Sequence, residues 1–124
     1  MTPNRYLRRA SLAEPLRDNR YGTVWELVTP GSTGSRQLGI AYVEIDPGGQ
    51  SPRHYHERTE EAYYFVSGSG SMSIGDERFN VQAGDAVYIP PLAVHSVTNS
   101  SNVVLCFISA DAPPYDENDD IEVN

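Results

Sequence analysis

Short runs of Val, Ile, Leu, Tyr and Phe, interleaved with polar residues and closed by clusters of Gly, Pro, Asn, Asp or Ser, recur along most of this chain. Such runs predict strands, and the clusters between them predict turns. The runs are Tyr21 to Val28, Leu38 to Ile45, Arg53 to His56, Glu61 to Val66, Met72 to Ile74, Arg78 to Val81, Ala86 to Ile89, His95 to Thr98 and Val103 to Ile108. Thr29-Pro30-Gly31-Ser32, Asp46-Pro47-Gly48-Gly49, Ser67-Gly68-Ser69-Gly70, Gly75-Asp76 and Ala83-Gly84-Asp85 separate them, and Pro90-Pro91 breaks the run ending at Ile89. About nine or ten short strands, with one helical turn near Ser11 to Leu16, fit an antiparallel sandwich or barrel, where closing or doubling the sheet deals with exposed edges.

Composition narrows this to one all-β domain: 124 residues, 39% of them apolar, suffice to bury a core without disulfides. The net charge of -8 lacks the phosphate attraction that drives nucleic-acid binding, so no nucleic acid is expected as a partner. All nine basic residues are arginine, which excludes lysine Schiff-base chemistry and the phosphate-gripping lysine of nucleotide-binding loops. Cys106, the one cysteine, sits in an apolar run and reads as a buried, inert thiol. No apolar segment is long enough to span a bilayer, so no membrane partner is expected and a cytoplasmic location is the default.

Charge is distributed unevenly. Arg5, Arg8, Arg9, Arg17 and Arg20 crowd residues 1–20, whereas residues 111–124 carry six acidic side chains and no basic one. We therefore expect a basic arm over 1–20, a barrel over 21–110 and an acidic tail over 111–124, with both ends solvated because surface ion pairs contribute little.

The chemistry concentrates in the three histidines. His54 and His56 are two residues apart in a β-type run, so both side chains leave one face of a strand, roughly 7 Å apart at the backbone. Glu61 lies beyond the turn-like Glu57-Arg58-Thr59, across which the register can reset, and His95 opens another run after the Pro90-Pro91 break. If a barrel closes, the four converge. Imidazoles with one carboxylate suit Mn(II), Fe(II), Ni(II), Zn(II) or Cu(II), whereas Ca(II) and Mg(II) want more oxygen ligands.

The wider spacing resembles the cupin superfamily. Its first motif, Gly-x5-His-x-His-x3-4-Glu-x6-Gly, is matched by Gly48, His54, His56, Glu61 and Gly68. Its second, Gly-x5-Pro-x-Gly-x2-His-x3-Asn, is matched by Gly84, Pro90, His95 and Asn99, with Leu92 where the family has its second glycine. The resemblance covers roughly residues 38–110 and implies a double-stranded β-helix, or jelly-roll barrel, with His54, His56, Glu61 and His95 in the four metal-ligand positions. Glu60 is the near rival to Glu61, but it points to the opposite face.

Cupin barrels host many functions, so the fold alone does not name a reaction. The leading expectation is a metal-dependent enzyme of dioxygenase, isomerase, cyclase or decarboxylase type. It would act on a small oxygenated metabolite polarised by one divalent transition metal ion. Tyr63, or Glu60 if it turns inward, is the proton donor or acceptor in that reading, and Phe65 is core. The alternative is a non-catalytic module that binds a sugar or an acid. A homodimer through the outer strand faces around Tyr64 and Val66 is expected from the resemblance.

Overall fold

The computed structural model describes residues 4–19 and 21–124, and within 17–19 the backbone alone. Arg20 and the side chain of Arg17, both counted in the basic arm, lie outside the described residues. The strands are β1 (Leu16–Asn19), β2 (Gly22–Val28), β3 (Gly39–Ile45), β4 (His54–Tyr55), β5 (Glu60–Ser67), β6 (Ser69–Ile74), β7 (Glu77–Gln82), β8 (Ala86–Ile89), β9 (His95–Thr98), β10 (Leu105–Ala112) and β11 (Ile121–Glu122). They form two antiparallel sheets, one in the order β1-β2-β3-β10-β5-β8 and the other β11-β4-β9-β6-β7. The fold is a jelly-roll, as expected.

Alternation sets which face of each strand turns inward. Along β5, Glu61, Tyr63 and Phe65 are buried while Glu60, Ala62, Tyr64 and Val66 are exposed; along β8, Val87 and Ile89 are buried while Ala86 and Tyr88 are exposed. The inward residues of both sheets meet in a core that includes Val43, Ile45, Phe65, Met72, Ile89, Val97, Leu105 and Phe107. Phe65 is fully buried there, and truncating such an aromatic typically costs about 3–5 kcal/mol. Cys106 is a buried free thiol.

Two local devices hold the strand ends. Asn99, fully buried, donates from Nδ2 to the carbonyls of Ile45 and Val103, both at 2.8 Å, and accepts at Oδ1 from Ser101 N–H and Oγ–H. Gly68 turns β5 into β6 with a φ of 85°, and a Cβ there would lie 2.5 Å from the Val104 carbonyl oxygen. Only glycine fits that approach.

The structure departs from the expectations at the helices and at both ends. Thr29-Pro30-Gly31-Ser32, read as a turn, belongs to a short helix, α1 (Pro30–Thr33), because Thr29 and Ser32 form a reciprocal capping box and Pro30 opens it. The expected helical turn is a 3-10 turn at Ala10–Leu12. The basic arm contributes β1, which pairs with β2. The acidic tail is not a solvated end: β10 runs into it, and β11 pairs with β4 beside His54. Pairing with a distant strand satisfies backbone groups that local composition cannot reveal.

Candidate metal centre

His54 and His95 sit opposite each other on β4 and β9, and His56 follows directly after β4. Glu61 comes from β5 in the facing sheet. The four side chains, each offering one ligand atom within 4.8 Å of the others, therefore bridge the two sheets at one end of the barrel. All are buried; His95 is 1% exposed and Glu61 7%.

Backbone carbonyls fix each imidazole. His54 Nδ1 lies 2.8 Å from Pro52 O, His56 Nδ1 2.7 Å from Asp119 O and His95 Nδ1 2.9 Å from Ala93 O. A carbonyl only accepts, so Nδ1 carries the proton in all three rings and Nε2 is left as the ligating atom. His56 Nε2 and His95 Nε2 each stand 3.1 Å from the same oxygen, Glu61 Oε1. With the proton on Nδ1, Nε2 and the carboxylate oxygen both offer lone pairs and no donor, and Glu61 Oε1 and His95 Nε2 are buried polar atoms without a hydrogen-bond partner. A cation shared between them satisfies both.

The electrostatics express the same crowding. Burial works to lower the His56 imidazolium pKa, but adjacent Glu61 outweighs it and holds the value at about 9. Burial, then the charge of His95, push His54 down to about 4. Burial alone would raise Glu61; the nearby His56 and His95 rings override this and keep its carboxyl well below the usual range.

Of the two sequence-read proton carriers, Tyr63 faces inward. It lines the cavity above the histidines, packs 4.5 Å from the Phe107 ring, and is held well above its usual pKa by burial and then by the Glu61 charge, so it keeps its proton. Glu60 is a correction: it lies on the outer face of β5, where it accepts from Tyr88 Oη at 3.1 Å, because adjacent strand positions point to opposite faces. Leu92, at the family's glycine position, adopts a left-handed φ of 72° and donates its N–H to His56 O at 2.7 Å. The turn conformation thus persists without glycine.

Two participants were missed. Asp111 pairs across the sheet with Glu61, lines the cavity and accepts from Ser109 Oγ at 2.8 Å. Burial, then the neighbouring Glu61 charge, raise its pKa to about 8. The alternation of Phe107, Ser109 and Asp111 on β10 was the available signal. Asp119 is 3% exposed and accepts at its carboxylate from the N–H groups of Glu57, Arg58 and Thr59 at 2.8, 3.1 and 3.2 Å. It braces the loop between His56 and Glu61, and no local pattern marked it. Asp120 adds a link across the site: its carboxylate accepts from Tyr21 Oη, whose ring lies 4.8 Å from His54, and from Tyr115 Oη.

The family profile described as Cupin domain matches residues 41–111. An uncharacterized protein of Methanocaldococcus jannaschii is 34% identical over 94 residues, 76% of this chain and 75% of that protein. The oxalate decarboxylase of Bacillus subtilis is 35% identical over 79 residues, 60% of this chain but 20% of that protein. Its solved structure, from work on its Mn(II) centres, superposes with a TM-score of 0.79 at 27% identity, covering 93% of this chain and 31% of that one. A predicted oxalate decarboxylase of Thermotoga maritima shares the fold, with a TM-score of 0.77 at 24% identity over 86% of this chain and 98% of that one. Among the described residues, no helix is long and apolar enough to cross a membrane.

Proposed function

The chain belongs to the cupin family, and from that premise we propose that it binds one divalent transition metal ion, manganese first, through His54, His56, Glu61 and His95, and acts on an oxygenated small molecule. One observation carries this reading: a buried cluster whose ligand atoms Glu61 Oε1 and His95 Nε2 face each other at 3.1 Å with neither holding a hydrogen-bond partner. Manganese is favoured over iron, nickel, zinc or copper by the likeness to a protein with Mn(II) centres.

Such an ion supplies Lewis acidity to a carbonyl or hydroxyl oxygen. The chain's own residues supply the rest. The carbonyls of Pro52, Ala93 and Asp119 orient the three rings, so little rearrangement is required of the ligands. Tyr63 offers a hydroxyl that stays protonated, and Asp111 a carboxyl beside Glu61 that holds a proton near neutral pH. In this reading these two groups carry the proton within the cavity.

Elemental analysis and electron paramagnetic resonance of Mn(II)-reconstituted protein test the reading. One tightly held ion per chain is expected, lost in a His54→Ala, His56→Ala double variant that keeps its far-ultraviolet circular dichroism. Retention of the ion by that variant, or no uptake by the parent, overturns it.

A further inference from the structure

Tyr21 reaches His54 from the edge of the opposite sheet. It stands at the turn from β1 into β2, where Gly22 has a φ of 104° and a Cβ would overlap the Glu44 carbonyl oxygen, so the turn is pressed onto β3. From there the half-buried Tyr21 ring packs 4.8 Å from the His54 ring, and its hydroxyl donates to both carboxylate oxygens of Asp120 at 2.6 Å. Asp120 is half-buried and immediately precedes β11. Tyr115 Oη donates to the same carboxylate at 2.7 Å, and its ring stands edge-on 6.4 Å from His56. Two residues 99 positions apart thus join the edges of the two sheets beside His54.

His54 needs such a restraint. The outer torsion of a histidine side chain is broad, and the bond from Nδ1 to Pro52 O fixes one ring atom. The rings of Tyr21, at 4.8 Å, and His95, at 4.1 Å, limit its tilt. His95 is locked in the core, whereas Tyr21 is half-buried and is held by Asp120. We infer that Tyr21, anchored by Asp120, is a positioning residue for His54: their bond keeps the imidazole in its ligating orientation and sets how long the metal stays bound. This rests on the metal reading above. Release from a four-residue site proceeds one ligand at a time, and a detached ring that stays aimed at the ion rebinds before the next ligand leaves. Swinging His54 away requires Tyr21 to move, which breaks its bonds to Asp120. Loosening the anchor therefore speeds dissociation and weakens affinity together, whereas a gate across the mouth would change both rates and leave affinity alone.

The full chain is loaded with Mn(II), occupancy is measured, and the ion retained is followed in time under excess EDTA; Kd comes from competitive titration. Tyr21→Phe and Asp120→Asn should each release Mn(II) about tenfold faster and raise Kd by about the same factor. The double variant should be no worse than either single one, because each removes the same bond. Tyr21→Ala, which removes the ring as well, should release at least as fast as Tyr21→Phe. Val81→Ala, a core truncation in β7 at the other edge of the sheet from β11 and β4, should lower stability in urea and release Mn(II) at the parent rate. Failure of the parent to take up Mn(II) overturns the metal reading and this inference with it. With the parent loaded, release from Tyr21→Phe at the parent rate, faster release at unchanged Kd, effects that multiply in the double variant, or equal acceleration in Val81→Ala overturns this inference alone.

Discussion

Replacing Asp119 by alanine should loosen both the fold and the metal centre. Its carboxylate accepts three backbone N–H groups, and the methyl of alanine accepts none. Glu57 and Arg58 are exposed, so water takes over their amides at small cost, but Thr59 is buried and its N–H is left without a partner. One orphaned buried donor costs about 1–3 kcal/mol and each solvated one about 0.5–1.5 kcal/mol, giving a loss of about 2–6 kcal/mol in urea unfolding of the metal-free protein. The loop so released runs from His56 to Glu61, so Mn(II) affinity should fall as well, by roughly tenfold or more. Asp119→Asn, which keeps one carbonyl oxygen, should fall between parent and alanine.

The pH dependence checks the cause. Burial alone would raise the Asp119 carboxyl, but the three amide donors outweigh it and hold it below its ordinary value of 3.8. A lowered folded-state pKa stabilises the fold above the ordinary value, and that contribution disappears as pH falls through the folded-state value. The gap between parent and Asp119→Ala should therefore be constant above about pH 5 and close below about pH 4. A variant within about 0.5 kcal/mol of the parent, with unchanged Mn(II) affinity, would refute the bracing role.

His56, held at about 9 without metal, must lose its proton to coordinate, so apparent Mn(II) affinity should rise about tenfold per pH unit between roughly pH 6 and 8; a flat profile by competitive titration counts against His56 as a ligand. Leu92 is 65% exposed and left-handed, a conformation costing about 1–2 kcal/mol for a side-chain residue. Leu92→Gly should stabilise by up to about 1 kcal/mol after the extra entropy of glycine, and a clear loss in chemical denaturation would show that its contact with the His56 strand matters more than its backbone. Trp25, Tyr42, Ile108, Tyr64 and Ala86 line up in one cross-strand row of the six-stranded sheet, with Tyr64 half exposed. We propose that this face pairs two copies of the chain; light scattering should give a dimer that Tyr64→Arg splits, and a monomeric parent mass at high concentration rejects the idea.

Local alternation made most of this molecule legible. Glu61, Tyr63 and Phe65 share a face by parity alone, and the His54, His56 and His95 spacings survive folding because each lies on or beside a short strand whose register is set by its neighbours. What stayed hidden depends on pairing between distant residues. Asp111 reaches Glu61 only through the β10–β5 register, and the tail becomes a strand only because β4 offers an unpaired edge. Its six acidic side chains read as a solvated end, yet Asp119 is buried by three amides that no composition argument supplies.

That tail bears on how the protein is handled at the bench. Val123 N–H donates to Arg53 O at 2.9 Å and the Arg53 guanidinium donates to Asn124 O at 2.6 Å, so the last residues of β11 and beyond run directly alongside His54. A hexahistidine purification tag fused after Asn124 would set additional imidazoles next to the native ones, recruit nickel from the affinity column and disturb the edge pairing. Metal content is therefore best measured on tag-free material, and a C-terminal fusion that lowers occupancy would be reporting on the edge strand rather than on the four ligands.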